Sequence, residues 1–178
     1  MILDKNFKHL MAPKGEDAMV SEILSIFEKS NYNLVRLIIN SGKERRIQIF
    51  AENSDHTMTL NDCENVNNLI QEYFEKEPNM NENYSLEISS PGVERPLTRK
   101  NDFQIWSNNH IKVKLFRHEN LPRRFDAKLF GYSKDKINIF IDETTKAESG
   151  NYDLNPADVK EIKLAWASGK PPMPNKTC

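Results

Sequence analysis

Between residues 91 and 136 the chain sets Arg95, Arg99, Lys100, Lys112, Lys114, Arg117, Arg123, Arg124, Lys128, Lys134 and Lys136 against five acids, its one dense basic stretch. Such side chains do electrostatic rather than covalent chemistry: Arg forks onto phosphate or carboxylate oxygens, and Lys supplies a mobile point charge. Lys112 and Lys114 alternate with Ile111, Val113 and Leu115, so on a strand they share one face. Arg117, Arg123 and Arg124 fall around the tip of the adjoining hairpin, with Phe116 and Phe125 near them in sequence. The group is either a platform for phosphates and acidic loops or a solvated strand face. The second alternative has weight because 20 Asn and 17 Lys against 8 Arg indicate a composition that scatters Lys over surfaces.

Covalent catalysis finds little support. His9, His56, His110 and His118 are scattered, and no HExxH, GxGxxG, GxxxxGK or GxSxG string occurs. Asp142, Glu143, Asp153 and Asp158 surround a Gly-containing turn, where acids are ordinarily solvated rather than bound to magnesium. Cys63 and Cys178 form neither a disulfide framework nor a zinc spacing. The expectation is a protein that is not an enzyme and uses no metal or cofactor, in a reducing, cytoplasmic setting. No segment has a signal-peptide core or the run of about 18 apolar residues that a membrane span needs, so no membrane partner is expected.

The charge is unevenly divided. Residues 1–90 carry a net −6 and residues 91–178 a net +5, within a total of −1. Leu, Ile, Val and Phe make up about a quarter of the chain, enough for a folded core. Met19, Val20, Ile23, Leu24 and Phe27 recur at helical spacing over about 16–29. Leu34–Ile39 and Arg46–Phe50 read as a hairpin around Ser41-Gly42. Thr59 and Asp62 form a capping box for a second helix with a stripe of Leu60, Cys63, Val66, Leu69, Ile70, Tyr73 and Phe74, Cys63 being a buried structural thiol on it. The other face of that helix carries Asp62, Glu64, Glu72, Glu75 and Glu77, which is either solvated surface or a dock for a basic tail. Tyr84, Leu86 and Ile88 alternate in a third strand. Beyond residue 108 the period is two throughout, as short strands of a small five-stranded barrel require.

The predicted fold is therefore α+β in two domains. A flexible N-terminus (1–15) precedes an αββαβ domain (16–90), a rigid connector with a short helix (91–108), a small β-barrel (109–167) and a disordered proline-containing tail (168–178). In the connector, Pro91 and Gly92 suit a type II turn, and Pro96 keeps Arg95 extended. Thr98 can cap a short helix from which Phe103 and Trp106 anchor onto a core, and Trp166 is a second anchor. The connector reads as a stiff spacer or as a ligand-binding loop.

The run Leu86-Glu87-Ile88-Ser89-Ser90-Pro91-Gly92-Val93-Glu94-Arg95-Pro96-Leu97 closely resembles the central motif of the ribosome maturation factor RimP family, in which Ser89, Ser90, Pro91, Gly92 and Pro96 are its structural residues. The resemblance extends over about 16–166, through Asn33-Leu34-Val35, Asn61-Asp62-Cys63 and Arg123-Arg124. It departs from the family at Ala51, at Ala127, and in the loop Asn53-Ser54-Asp55-His56, where many members carry Gly. The resemblance implies an N-terminal α/β domain followed by an SH3-like, Sm-like barrel. It implies a non-enzymatic factor for assembly of the small (30S) ribosomal subunit, with rRNA and ribosomal proteins as partners; a monomer is expected, because the acidic N-terminal domain and the rigid connector would crowd a closed ring of barrels. Arg95, Arg99, Lys112, Lys114, Arg117, Arg123, Arg124 and Lys128 are then the contact candidates. The alternative is a general Sm-like RNA-binding module not tied to the ribosome.

Overall fold

The computed structural model describes residues 5–13, 17–40, 45–76, 84–116, 118–142, 147–166 and 171–175, and the chain separates into two units, the first holding residues 11–91 and the second residues 3–10 with 92–178. In the first, α2 (Asp17–Glu28) buries Met19, Val20, Ile23, Leu24 and Phe27, the face its spacing predicts; of the short α1 (Lys8–Met11) that precedes it, all but Met11 belongs to the second unit. Strands β1 (Asn33–Asn40) and β2 (Arg45–Glu52) pair antiparallel, with a register shift between Leu34 and Arg36 that lets the neighbours Leu34 and Val35 both be buried. Helix α3 (Leu60–Phe74) then crosses over so that β3 (Tyr84–Ser89) can lie parallel to β2, giving the sheet order β1-β2-β3.

The predicted capping box is present: Thr59 Oγ1 accepts from the Asp62 N–H at 3.2 Å and the Asp62 carboxylate accepts from the Thr59 N–H at 2.8 Å. The Thr59 hydroxyl, above all, holds the Asp62 carboxyl below its ordinary pKa. The buried stripe of α3 is narrower than predicted, with only Val66, Ile70 and Phe74 inside. Leu60 is 90% exposed, and Leu69 is also exposed. Cys63 is half-buried rather than buried, and desolvation, then the charge of Asp62, raises its thiol pKa, away from thiolate reactivity. In the loop 53–56, His56 takes the positive φ of 60° for which the absent Gly would be suited; Asn53 Oδ1 holds the turn by accepting from the backbone N–H groups of Asp55 and Thr57.

The second unit contains β4 (His110–Leu115), β5 (Arg124–Ser133), β6 (Lys136–Ile141), β7 (Gly150–Leu154) and β8 (Val159–Leu164), all antiparallel, in the order β7-β6-β5-β4-β8. Lys134 and Asp135, with φ of 50° and 58°, make the tight β5–β6 turn. Among the described residues no ladder joins β7 to β8, so the predicted five strands form a sheet rather than a ring of pairings closed all the way round.

Three expectations for this unit are corrected. Within 1–15, residues 5–10 are not loose: Phe7 is 1% exposed, packs its ring 5.4 Å from Phe103 and 5.5 Å from Tyr132, and with Leu10 belongs to the core that the strands build. Within 168–178, residues 171–175 are tied down by polar contacts. Asn109 accepts from the Met173 N–H at 3.0 Å and donates to its carbonyl at 2.8 Å, and Asn175 donates through its side chain to Gln104 and Ser107. Trp166 is half-exposed rather than an anchor, a part that Trp106 alone plays. Cys178 lies outside the described residues.

Candidate nucleic-acid interface

The connector is organised by one carboxylate. Gly92 has φ +70°, a backbone state that glycine holds without strain, but the turn falls on Val93 and Glu94 rather than on Pro91 and Gly92 as a type II turn there would need. Residues 95–97 then run along the far side of β8: Leu97 N–H donates to Ile162 at 3.0 Å, and Leu164 N–H donates to Arg95 at 2.9 Å. At the start of α4 (Asp102–Ile105), Asp102 is fully buried. Its Oδ1 accepts from Arg95 Nη2 at 3.0 Å and from Arg99 Nη2 at 2.8 Å and Nε at 3.1 Å. Its Oδ2 accepts from the backbone N–H of Thr98 at 2.9 Å and of Arg99 at 3.0 Å. Burial pushes this carboxyl's pKa up, but Arg99 and then Arg95 outweigh it and hold it down to about 2. The helix cap predicted at Thr98 is thus reversed, the Asp102 side chain capping the turn that Thr98 and Arg99 make.

This geometry removes two residues from the predicted contact surface. Arg95 is 2% exposed, donates to the Pro96 carbonyl at 2.9 Å and stacks 5.4 Å over the Trp106 ring. Arg99 is mostly buried against Asp102. Both are cations of an interior network, because a connector that folds back on β8 needs counter-charges for its own carboxylate.

The remaining candidates do gather. On β4 the alternation exposes Lys112 and leaves Lys114 partly exposed, while Ile111, Val113 and Leu115 point inward. On β5, Arg124, Asp126 and Lys128 take the outer side and Phe125, Ala127 and Leu129 the inner, so Phe125 is core. Register sets Lys114 directly opposite Arg124, Lys112 opposite Asp126 on one side and opposite Lys163 of β8 on the other. Like charges directly opposed cost a strand pair a few tenths of a kcal/mol or more, about 0.2–1. Lys112 is compensated by an ion pair with Glu94, which raises the Lys112 pKa and lowers that of Glu94 through the shared hydrogen bond first and charge second. Lys163 lies 3.7 Å from Glu161. Lys114, Arg124 and Lys128 make no ion pair among the described residues, which leaves their charge directed at solvent. Arg123 is exposed at the entry to β5, and Arg117 lies outside the described residues.

Sequence reasoning set Phe116 near the cations but missed Phe130 and Phe140 on this same side. Phe130 is exposed beside Phe140 on β6, with ring centroids 6.2 Å apart, and Phe116 is exposed beneath Lys160, whose Nζ is 5.9 Å from the ring centroid. Strand parity could have found Phe130, two residues beyond Lys128.

The acidic side of α3 belongs to the first unit, with Glu72 paired to Lys76 at 3.7 Å and Asp62 engaged in the cap. Among the described residues no three His, Cys, Asp or Glu side chains cluster as a metal site would need, and no helix is long and apolar enough to cross a membrane.

Residues 22–94, from the second turn of α2 through the Ser89-Ser90-Pro91-Gly92 string, match the family model of the RimP N-terminal domain. Residues 22–94 thus form a RimP N-terminal domain.

Proposed function

We propose that the chain is a ribosome maturation factor that acts by binding, in the cytoplasm, without catalysis: it engages the immature small (30S) subunit and holds rRNA and ribosomal protein against the outer face of β8, β4 and β5. The observation that carries this reading is the joining of a RimP N-terminal domain to a sheet whose outer face opposes Lys114 to Arg124 and adds Lys112 and Lys128 beside them. Cations that outnumber the acids beside them, with Lys114, Arg124 and Lys128 in no ion pair among the described residues, are what a polyanion would complete. We assign the second unit to the SH3-like, Sm-like barrel class, a reading supported by the return of β8 to the side of β4, which brings the first and last strands together as curling toward a barrel demands.

A general Sm-like module that assembles into rings would need two free sheet edges in each copy. Residues 95–97 occupy the far side of β8, which favours the monomeric factor. Co-sedimentation tests the proposal: the protein should travel with free small subunits and hardly with full ribosomes, and equal binding to both would overturn it. Changing Lys112, Lys114, Arg124 and Lys128 to Ala should lower the log–log salt slope of binding by about 0.7–0.9 for each phosphate that the face no longer neutralises. The pair Lys29→Ala and Lys76→Ala should leave the slope unchanged.

A further inference from the structure

The cationic row of the outer sheet face ends at an exposed aromatic side chain on either side. Beyond Lys114, β4's outward parity continues to Phe116, 46% exposed, with Lys160 over its ring and the His9 ring 6.1 Å away. Beyond Lys128, β5 presents Phe130, 45% exposed, whose ring lies tilted by 36° against Phe140. The register Lys114↔Arg124 puts Phe116 two residues past one end of the row and Phe130 six residues past Arg124 at the other. At about 3.3 Å per residue the two aromatic stations are roughly 25 Å apart along the strands.

Neither ring is needed by the core, which the inward parity of β4 and β5 fills with Ile111, Val113, Leu115, Phe125 and Leu129. Phosphate binding alone would not call for them either, since cations suffice for a duplex whose bases are stacked inside it. Exposed rings set among cations are what unpaired bases use: each base offers a π-face while its phosphate follows the charged row. A partner β-strand is a poorer fit, because β4 and β5 are interior strands whose backbone groups are already paired on both sides. The net charge of the face, with Lys112, Lys114, Arg124, Lys128, Lys160 and Lys163 against Glu94, Asp126 and Glu161, also selects a polyanion.

We propose that this face binds a single-stranded RNA segment of about four nucleotides or more, with bases stacked on Phe116 and on the Phe130–Phe140 pair and phosphates along the cations between them. The proposal deepens the rRNA-binding reading above and rests on it. It specifies an unpaired segment rather than a helix as the target.

Fluorescence anisotropy tests it with two labelled RNAs, a single-stranded oligouridylate of about six nucleotides and a closed hairpin of matching phosphate number. The full chain should prefer the single strand. Phe116→Leu and Phe130→Leu should each weaken that binding roughly tenfold, within the range expected for losing one stacked base, and should leave hairpin binding and the thermal melt unchanged. The exposed Leu60→Ala serves as the control. If both Phe variants bind the single strand like the parent, or lose strand and hairpin equally, the face reads charge alone and stacking is refuted while the maturation-factor reading stands. If the parent binds neither RNA at low salt yet co-sediments with small subunits, the face contacts ribosomal protein and this inference fails by itself. Absence of both RNA binding and co-sedimentation would overturn the functional reading as well.

Discussion

Replacing Asp102 by Asn keeps the size of the side chain and one oxygen for the Thr98 and Arg99 amides, but it removes the charge that Arg95 and Arg99 share. Arg95 would then lose this carboxylate while its guanidinium stays buried against the Pro96 carbonyl and the Trp106 face. Breaking a buried pair from one side costs about 3–5 kcal/mol; Arg99 retains some solvent, so the low end, about 3 kcal/mol, is expected. The pH dependence gives a second, independent magnitude. The Asp102 pKa is depressed from 3.8 to about 2, so its contribution is complete above pH 4 and is lost as the pH falls through 2. At about 1.36 kcal/mol per pH unit the loss amounts to about 2 kcal/mol. Both indole groups lie in the second unit, so urea unfolding followed by Trp fluorescence reports on the unit that holds the carboxylate. At pH 7, Asp102→Asn should lower the urea midpoint with the slope unchanged, and between pH 4 and 2 the parent should lose stability faster than the variant. An Asn variant with the parent's midpoint at pH 7 would refute the claim that this network holds the connector. Parallel acid profiles for the two proteins would refute the depressed pKa.

Two further outcomes concern single backbone features. Thr59→Ala should destabilise the first unit by about 1 kcal/mol through loss of the capping box, read from far-ultraviolet circular dichroism on urea unfolding; an unchanged midpoint would mean the box adds nothing in solution. At Gly92 an added Cβ meets nothing within 4 Å, so only the positive φ penalises a side chain. Stability should fall in the order Gly, Asn, Ala, Val, to a total of about 1–3 kcal/mol; if Asn proves as costly as Val, crowding rather than backbone strain governs the turn.

What can be read from the residues alone is whatever is decided locally. The α2 face, the Thr59–Asp62 box and the alternation of β4 and β5 all rest on neighbours within a few positions, and each is present. Arg95 escapes such a reading because a charge in a basic stretch looks solvent-bound until the chain folds back and delivers Asp102 and Trp106 to it. Leu60 has the helical period of the stripe yet is exposed, and only tertiary packing shows where the buried stripe stops. Phe7 and Leu10 sit in a segment too short for any periodicity, and what they pack on is encoded far downstream.

That last separation bears on how the second unit is made. His9 donates from Nε2 to the Val159 carbonyl at 2.8 Å across 150 positions, and Phe7 fills a core whose strands begin only at residue 110. During synthesis the first unit has all its residues early and can fold while translation continues, whereas residues 5–10 must wait for β8 to emerge. The second unit therefore has high contact order and is expected to be the slow step of refolding. A fusion partner or tag placed directly before Phe7 would burden the distant sheet more than the domain next to it in sequence.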